Sequence, residues 1–158
     1  MATPSTTGKI LRVDLTNRQL THEELDDITI REYIGGTGLG AKYLYDEVPP
    51  GVEWDGPGNR LIFAAGPLNG TRVAGAGAFS VVTKGPLTNG ATSSQAMGYL
   101  GAYLKLSGFD GIIFQGKATD WVYLYIHDGI GELRPAAHLF GKDTWETEEL
   151  IKLELGKK

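Results

Sequence analysis

The sequence predicts an α+β fold with mixed or antiparallel β-sheets and three to four helices. Its 158 residues fit one domain, so we expect a single unit over residues 1–158. About seven short segments carry strand-like alternation or a continuous apolar run. These strands and the helical segments follow one another irregularly, which favours α+β over the regular alternation of a doubly wound parallel fold.

The first elements are a hairpin and a short helix. Residues 9–15 alternate and contain β-branched side chains, residues 16–18 are typical of a turn, and residues 19–23 form the expected returning strand. Thr29 is the expected cap of a short helix that ends at Tyr33.

The middle of the chain predicts one helix between glycine-rich segments and two buried strands. The Gly-Gly-Thr-Gly segment 35–38 predicts a tight bend before a helix over residues 39–47, which a Pro-Pro-Gly sequence ends. Residues 61–65 and 79–84 are apolar enough for buried strands. The Gly- and Ala-rich segment 66–78 between them predicts a loop.

The last third predicts two helices and three strands. Ser93 or Ser94 is the expected cap of a helix over residues 96–106, and Thr144 begins a final helix that runs to Leu155 and stops at residues 156–158. The expected strands between these helices cover residues 111–115, 122–126 and 132–134.

Composition excludes several function classes. With no cysteine, the chain forms no disulfide, thiolate nucleophile or zinc–thiolate site, and it offers no ordinary iron–sulfur ligand. The net charge of −4 argues against a nucleic acid or an anionic membrane as partner. No apolar run approaches the ~20 residues of a membrane span. Residues 1–7 lack the pattern of a signal peptide, so we expect a cytoplasmic protein.

The sequence contains no recognisable catalytic constellation. The histidines His22, His127 and His138 do not have a metal-ligand spacing, and no nucleophile elbow, phosphate loop or metalloprotease motif is present. We therefore predict no catalytic residue and no protein metal ligand.

Three glycine- or serine-rich places are compatible with a bound anion or a flat ligand. They are the segment 35–38, the loop 66–77 and the expected helix start at residues 93–96. Small residues let a large ligand approach the backbone, and helix starts favour phosphate. Tight structural turns explain the same pattern, so both interpretations stay open.

Six stretches, in the same order and spacing, resemble the N-terminal domain of the aldehyde ferredoxin oxidoreductase family. They are residues 8–16, 33–39, 59–68, 80–88, 104–118, and 122–126 together with 138–142. The resemblance implies a saddle-like base of β-sheets that holds two pyranopterin (molybdopterin-type) dithiolenes on one tungsten, or molybdenum in some relatives. In that family, later helical domains supply the cysteines of a [4Fe-4S] cluster. The full enzymes oxidise aldehydes to carboxylic acids and pass electrons to ferredoxin.

The chain departs from the family pattern at two places. Gly77-Ala78 stands where the family has Gly-Arg, and residues 95–98 read Gln-Ala-Met-Gly where the family has Asn-Ser-Gly-Gly. Alanine cannot replace the bidentate hydrogen bonding of a guanidinium. By resemblance, the expected cofactor-binding residues are Arg72, Lys84, Gln95 and Gly98, with Arg72 as a substitute cation.

Two functions follow from the resemblance and its departures. In the first, the chain is part of a tungstopterin oxidoreductase whose remaining active-site groups lie on another chain, and ferredoxin is a partner only of the complete enzyme. In the second, it is a non-catalytic binding or assembly module that has lost the cofactor. The cysteine-bearing domains are not in this sequence, and whether it is a short paralogue or a fragment stays open.

For the chain alone we expect weak or absent tungstopterin and no iron–sulfur cluster. We also expect a homo-oligomer or a complex with a partner oxidoreductase subunit. The reason is that the face near Leu68, Val73, Met97 and Leu100 lacks a cover from the chain itself.

Overall fold

The computed structural model describes residues 6–156. The expectation about a signal peptide concerns residues 1–7 and so lies mostly outside the described residues. Lys157 and Lys158, which were expected at the end of the last helix, also lie outside them.

A six-stranded mixed sheet forms the centre of the fold. Its order is β2-β1-β6-β3-β4-β5. The strands are β1 Lys9–Asp14, β2 Gln19–Glu24, β3 Arg60–Ala65, β4 Ala78–Lys84, β5 Ala91–Met97 and β6 Gly111–Gln115. Strands β1 and β6 pair in parallel, whereas the other neighbours pair antiparallel. Strand β6 begins with three buried residues, Gly111, Ile112 and Ile113, so it is covered on both faces there.

A second, two-stranded sheet and four α-helices complete the described part of the chain. The small sheet pairs β7 Val122–His127 with β8 Ile130–Pro135. The helices are α1 Asp27–Tyr33, α2 Gly36–Glu47, α3 Leu100–Leu106 and α4 Thr144–Glu154, with a 3₁₀ turn at Ala137–Leu139. The predicted α+β class with a mixed sheet is therefore confirmed, and the described residues form eight strands where about seven were predicted.

The two faces of the large sheet bury separate cores. Leu39, Tyr43 and Leu44 of α2 pack with Ile10, Ile62, Val82 and Ile113 on one face. On the other face, Leu104 of α3 and Phe109 pack with Leu11, Val13 and Ile112, and the small sheet adds Leu124, Ile126 and Leu133. The strand period of two explains this division, because Ile10 and Leu11 are neighbours in sequence and point to opposite faces.

A charged network fixes the C-terminal end of α2 to the sheet. Glu47 accepts hydrogen bonds from Arg12 of β1 and from Arg60 Nε of β3, the latter at 2.9 Å. Arg12 Nε also donates to Glu23 of β2 at 2.6 Å, and Tyr43 Oη donates to the same carboxylate at 2.6 Å. The network thus ties one helix to three strands.

Burial and hydrogen bonding oppose each other in the pKa of Glu47 and reinforce each other in the pKa of Tyr43. Burial alone would raise the pKa of Glu47, but the hydrogen bonds and charges of Arg12 and Arg60 outweigh it, and the pKa lies below its ordinary value. Burial raises the pKa of Tyr43, and its hydrogen bond to Glu23 adds to this increase. Glu47 is therefore ionised at neutral pH, as its two guanidinium partners require.

The largest difference from the sequence prediction concerns residues 91–97. They form strand β5 and not the start of a helix, and α3 covers only Leu100–Leu106. Ser93 and Ser94 are therefore strand residues rather than helix caps. Apart from Thr92, the residues of this segment have no strong local preference for a strand, but all seven pair in register with β4. Tertiary pairing decides the structure of this segment.

Helix caps also differ from the prediction. The side chain of Asp26 caps α1 by accepting from Thr29 N–H at 2.8 Å, so Thr29 receives the cap instead of supplying it. Helix α4 begins at Thr144 as predicted, and Asp143 caps it and forms a capping box with Glu146. Helix α2 already begins at Gly36, which places most of the Gly-Gly-Thr-Gly segment in its first turn. At the start of both α1 and α4, the carboxylate of an aspartate accepts hydrogen bonds from the free backbone N–H groups of the first turn.

Among residues 6–156, the helices are all too short or too polar to cross a lipid bilayer.

Candidate functional site

An exposed surface lies where β4 begins and β5 ends. We define the open rim as the loop 66–77, Ala78, residues Gln95 to Gly98, and the first turn of α3. The predicted exposure of its apolar side chains is confirmed, since Leu68 is 51%, Val73 52%, Met97 67% and Leu100 42% exposed. Tyr99 and Tyr103 extend the surface along α3, with ring centroids 6.0 Å apart. Exposed apolar groups in one contiguous place are typical of a surface that another molecule covers.

Asn69 holds the glycine-rich loop of the open rim in one conformation. Its Oδ1 accepts from Gly66 N–H at 2.5 Å, and its Nδ2 donates to the Ala76 carbonyl at 2.7 Å. The side chain is 5% exposed and lies against Gly101, where a Cβ would come within 2.6 Å of Asn69 Nδ2. One buried amide therefore joins both ends of the loop to α3.

The two departures from the family pattern face each other in this structure. Ala78 and Met97 are register partners at the end of the β4–β5 pair. Ala78 is exposed and so is the side chain of Met97. A small methyl group and a flexible thioether thus occupy one place on the open rim, which makes this place apolar.

Gly98 contributes space rather than a free donor. Its N–H is already bonded to the Gly77 carbonyl at 3.2 Å. A Cβ at Gly98 would meet no atom within 4 Å, and the same holds at Gly75 in the loop. A flat ligand therefore has room to approach the backbone at both glycines.

Gln95 belongs to a chain of polar groups that runs from the open rim to the start of α2. Its Nε2 donates to Thr37 Oγ1 at 3.3 Å, and Thr37 lies 3.0 Å from the hydroxyl of Ser80. Thr37 comes from the Gly-Gly-Thr-Gly segment that the sequence marked as a candidate anion site. The structure therefore brings this segment next to Gln95.

Arg72 is the cation of the open rim. It lies exposed in the loop 66–77, and within residues 6–156 it has no hydrogen-bond or ion-pair partner. A guanidinium keeps its charge at any physiological pH and offers five N–H donors. It is thus available to an anionic ligand.

Lys84 lies apart from the other three candidate residues. It is the last residue of β4, six positions from Ala78, which corresponds to roughly 20 Å along a strand. Its Nζ donates to the Val52 carbonyl. Lys84 instead lines a cleft of about 870 Å³ between the two sheets, together with Trp54 and Trp121. Gln95 and Gly98 lie at the end of β5 that adjoins the loop carrying Arg72, whereas Lys84 lies at the opposite end of β4.

The candidate segments 35–38 and 66–77 contain Thr37 and Asn69, but the sequence did not single out either side chain. An asparagine between glycines was a usable signal for Asn69, because its amide is able to satisfy backbone groups in a tight loop. Thr37 had no local signal, since its partner Gln95 is 58 positions away.

The part of the chain that the structure describes contains no group of three His, Cys, Asp or Glu side chains placed to hold a metal ion. His127 lies 3.3 Å from Glu132, and His138 lies 3.4 Å from Glu154. The open rim therefore offers a cation, an amide and open glycine backbone. These groups are compatible with one side of a large, flat, anionic ligand.

Comparison with known proteins gives a consistent result. The sequence pattern of the family described as "Aldehyde ferredoxin oxidoreductase, N-terminal domain" matches residues 10–158. The tungsten-containing aldehyde ferredoxin oxidoreductases of Pyrococcus abyssi and Pyrococcus furiosus are 44% and 42% identical to the chain, over 96% and 94% of its length. The "Aliphatic sulfonate oxidoreductase, WOR-like subunit" of Pyrococcus furiosus is 38% identical over 85% of the chain.

A solved structure shares the fold at similar identity. The active-site complex BamBC of benzoyl coenzyme A reductase with 1,5 dienoyl-CoA contains a chain that is 44% identical and superposes with a TM-score of 0.94. The match covers 97% of this chain and 23% of the other. The chain likewise spans 25% of the length of the two aldehyde ferredoxin oxidoreductases.

Proposed function

This chain belongs to the family of the aldehyde ferredoxin oxidoreductase N-terminal domain, and we propose that it forms one side of a tungstopterin site. The single observation that carries the proposal is the open rim, where Gln95 and Gly98 lie at the exposed end of β5 and Gly98 N–H bonds to the end of the loop that carries the exposed Arg72. Residues 1–158 act as one cofactor-cradling domain in this proposal. The domain is incomplete for catalysis on its own.

Each candidate residue has a role that its surroundings support. Arg72 pairs with a phosphate of the cofactor, because its guanidinium is exposed and has no partner within residues 6–156. Gln95 donates its amide, which Thr37 orients. Gly98 leaves the backbone open to a flat ring system. Asn69 acts indirectly by holding the loop that carries Arg72.

The chemistry belongs to the cofactor and to groups outside this chain. When bound, the tungstopterin supplies the oxidation of an aldehyde to a carboxylic acid, with ferredoxin as the electron acceptor of the complete enzyme. The chain has no cysteine, so any iron–sulfur cluster takes its ligands from elsewhere. We therefore propose that a partner oxidoreductase region covers the open rim. We also propose a cytoplasmic location.

A second candidate function is a binding or assembly module without cofactor. Met97 favours it, because its exposed side chain stands beside Ala78 and makes this part of the open rim apolar. In this alternative, the apolar surface binds a partner protein directly. The two candidates differ in whether tungsten is present in the complex.

Complementation tests the proposed function. The chain would be co-expressed with the Pyrococcus abyssi relative from which the matching N-terminal quarter has been deleted, in a host that makes tungstopterin. We expect a complex that oxidises aldehydes with a viologen dye as acceptor. The variant Arg72→Ala should reduce this activity by about 10-fold or more, as expected for one charge-assisted hydrogen bond. Lys142→Ala, an exposed cation on the connection before α4, is the matched control.

Complex formation without tungsten or activity would favour the assembly module. Absence of any complex would contradict both candidates.

A further inference from the structure

The sequence contains two Asn-Gly pairs, at residues 69–70 and 89–90. In such a pair, the backbone nitrogen of glycine is able to attack the side-chain amide carbon of asparagine, because glycine has no Cβ that obstructs the approach. This reaction needs only water and converts the asparagine to an acidic residue. Asparagine is accordingly one of the thermolabile residues. Whether a pair reacts in a folded protein depends on how firmly the fold holds the amide.

The fold holds the first pair firmly. Asn69 is 5% exposed, and its Oδ1 accepts from Gly66 N–H at 2.5 Å while its Nδ2 donates to the Ala76 carbonyl at 2.7 Å. The amide carbon becomes accessible to the nitrogen of Gly70 only when both bonds break inside the buried loop. We therefore expect Asn69 to persist in the folded chain.

The second pair lies in the connection 85–90 between β4 and β5 and is held weakly. Nδ2 of Asn89 donates one long hydrogen bond, at 3.3 Å, to the carboxylate of the exposed Glu53. Within residues 6–156, the buried Oδ1 of Asn89 has no hydrogen-bond partner. An unpartnered amide oxygen does not stabilise one orientation of the side chain. The amide of Asn89 is therefore held by a single weak contact.

Gly90 supplies a nitrogen that is able to react. In the part of the chain that the structure describes, Gly90 N–H donates no hydrogen bond, whereas the Gly90 carbonyl accepts from Gly85 N–H at 2.8 Å. The turn also favours asparagine at position 89, because φ is 52° there and asparagine tolerates this left-handed region better than most residues. The shape of the turn thus places a weakly held asparagine directly before a glycine.

From the contrast between the two pairs we propose that Asn89 is a site of deamidation and that Asn69 is protected. The Gly90 nitrogen forms a bond to Cγ of Asn89, and the bond between Cγ and Nδ2 breaks. The proton of Gly90 N–H leaves with the side-chain nitrogen as ammonia, and a cyclic succinimide remains. One water molecule then opens the ring and gives aspartate or isoaspartate, depending on which of the two carbonyl carbons it attacks.

The product has one more negative charge than the asparagine it replaces. This charge lies beside the Glu53 carboxylate, where the hydrogen bond from Asn89 is lost and two like charges repel. The connection 85–90 lies at the end of the β4–β5 pair that is opposite to the open rim, since Ala78 and Met97 pair at the other end. The modification is therefore independent of the proposed function.

Peptide mapping of the wild-type chain tests the proposal. Trypsin places the two pairs in separate peptides, residues 61–72 and 85–105. The folded chain would be incubated at mildly alkaline pH, and the conversion of each peptide would be followed by mass spectrometry. We expect Asn69 to convert at least about 10-fold more slowly than Asn89, because two buried hydrogen bonds must break first. Anion-exchange chromatography of the intact chain should show the added charge at the same rate as the conversion of Asn89.

The denatured chain is the first control. Without the fold, both Asn-Gly pairs should convert at similar rates, which would assign the difference to the structure. Gly90→Ala is the second control, because the added Cβ obstructs the attacking nitrogen and meets only Thr88 Oγ1, at 3.2 Å. This variant should fold normally and convert several-fold more slowly at position 89, with an unchanged rate at Asn69.

Three results would overturn the proposal. The first is conversion of Asn69 in the folded chain as fast as that of Asn89. The second is persistence of Asn89 in the folded chain over a time in which the denatured chain converts. The third is conversion of the folded Gly90→Ala variant at the wild-type rate.

Discussion

The α2 side of the sheet and the open rim differ in how completely the chain covers them. On the α2 side, Leu39, Tyr43 and Leu44 are at most 6% exposed, and Glu47 joins two arginines across the helix end. On the open rim, the apolar side chains from Leu68 to Tyr103 remain 42–77% exposed. The covered part of the sheet stabilises the fold, whereas the exposed open rim suits a ligand and a partner.

The difference has a physical cause in the residues that each region contains. The α2 side pairs large apolar groups with carboxylates and guanidinium groups that satisfy one another. The open rim instead contains glycine and alanine, with Asn69 as its one buried polar side chain. Small residues leave space that the chain itself does not fill. Stability and function should therefore respond to different mutations.

The largest effect is expected from Glu47→Ala. This change leaves Arg12 and Arg60 without their shared carboxylate in a half-buried place. We expect the free energy of unfolding to fall by about 3 kcal/mol and Tm to fall by roughly 6–12 °C. Chemical and thermal unfolding measure both values. A loss below about 0.5 kcal/mol, the range of ordinary surface substitutions, would contradict the stabilising role of this network.

A smaller loss is expected from Asn69→Ala. The variant leaves Gly66 N–H and the Ala76 carbonyl without their buried partner, which should cost about 2 kcal/mol. The loop 66–77 should then be cut faster by proteases. Thr71→Ala, which removes an exposed hydrogen bond within the same loop, is the matched control and should change little. Equal protease sensitivity of both variants would show that Asn69 does not hold the loop.

The acid dependence of stability should also separate the two regions. The pKa of Glu47 lies below its ordinary value of 4.5, so its stabilising contribution is present above that value. The contribution is lost as the pH falls from about 4.5 through the lowered pKa of the folded state. Wild type and Glu47→Gln should therefore differ by about 1–2 kcal/mol at pH 7 and converge in acid. A constant difference from pH 7 to pH 2 would contradict this assignment.

The smallest effect on stability is expected from Arg72→Ala. Arg72 has no partner within residues 6–156, so its removal should change the free energy of unfolding by less than about 0.5 kcal/mol. The same variant is expected to impair the complemented enzyme. A marked loss of stability would show that Arg72 has a structural role and would weaken its assignment to the cofactor.

Much of the α2 side was predictable from sequence. Residues 61–65 are a continuous apolar run, residues 79–84 and 111–115 are rich in apolar residues, and α2 has helical spacing. The charged network was not predicted, because Arg12 is 35 positions from Glu47. One signal was available. Arg12 and Ile10 are two residues apart in β1, so their side chains point to the same face of the sheet, which α2 covers.

The open rim was predictable in composition but not in geometry. Its glycines and the positions Ala78 and Met97 were identified, whereas their pairing depends on β5, which the sequence suggested as a helix start. A strand made of Ser, Thr, Gln and Ala has no apolar alternation, so only its partner β4 defines it. The separation of Lys84 from Gln95 follows from the same pairing and had no local signal.

Tungsten content tests the central claim most directly, namely that the chain provides only one side of the cofactor site. The chain alone and the complemented complex would be purified from the same tungstopterin-producing host, and tungsten, molybdenum and iron would be measured by mass spectrometry. We predict near-stoichiometric tungsten in the complex, at least 10-fold less in the chain alone, and no stoichiometric iron in the chain alone. Near-stoichiometric tungsten in the isolated chain would contradict the claim, because the open rim would then hold the cofactor unaided.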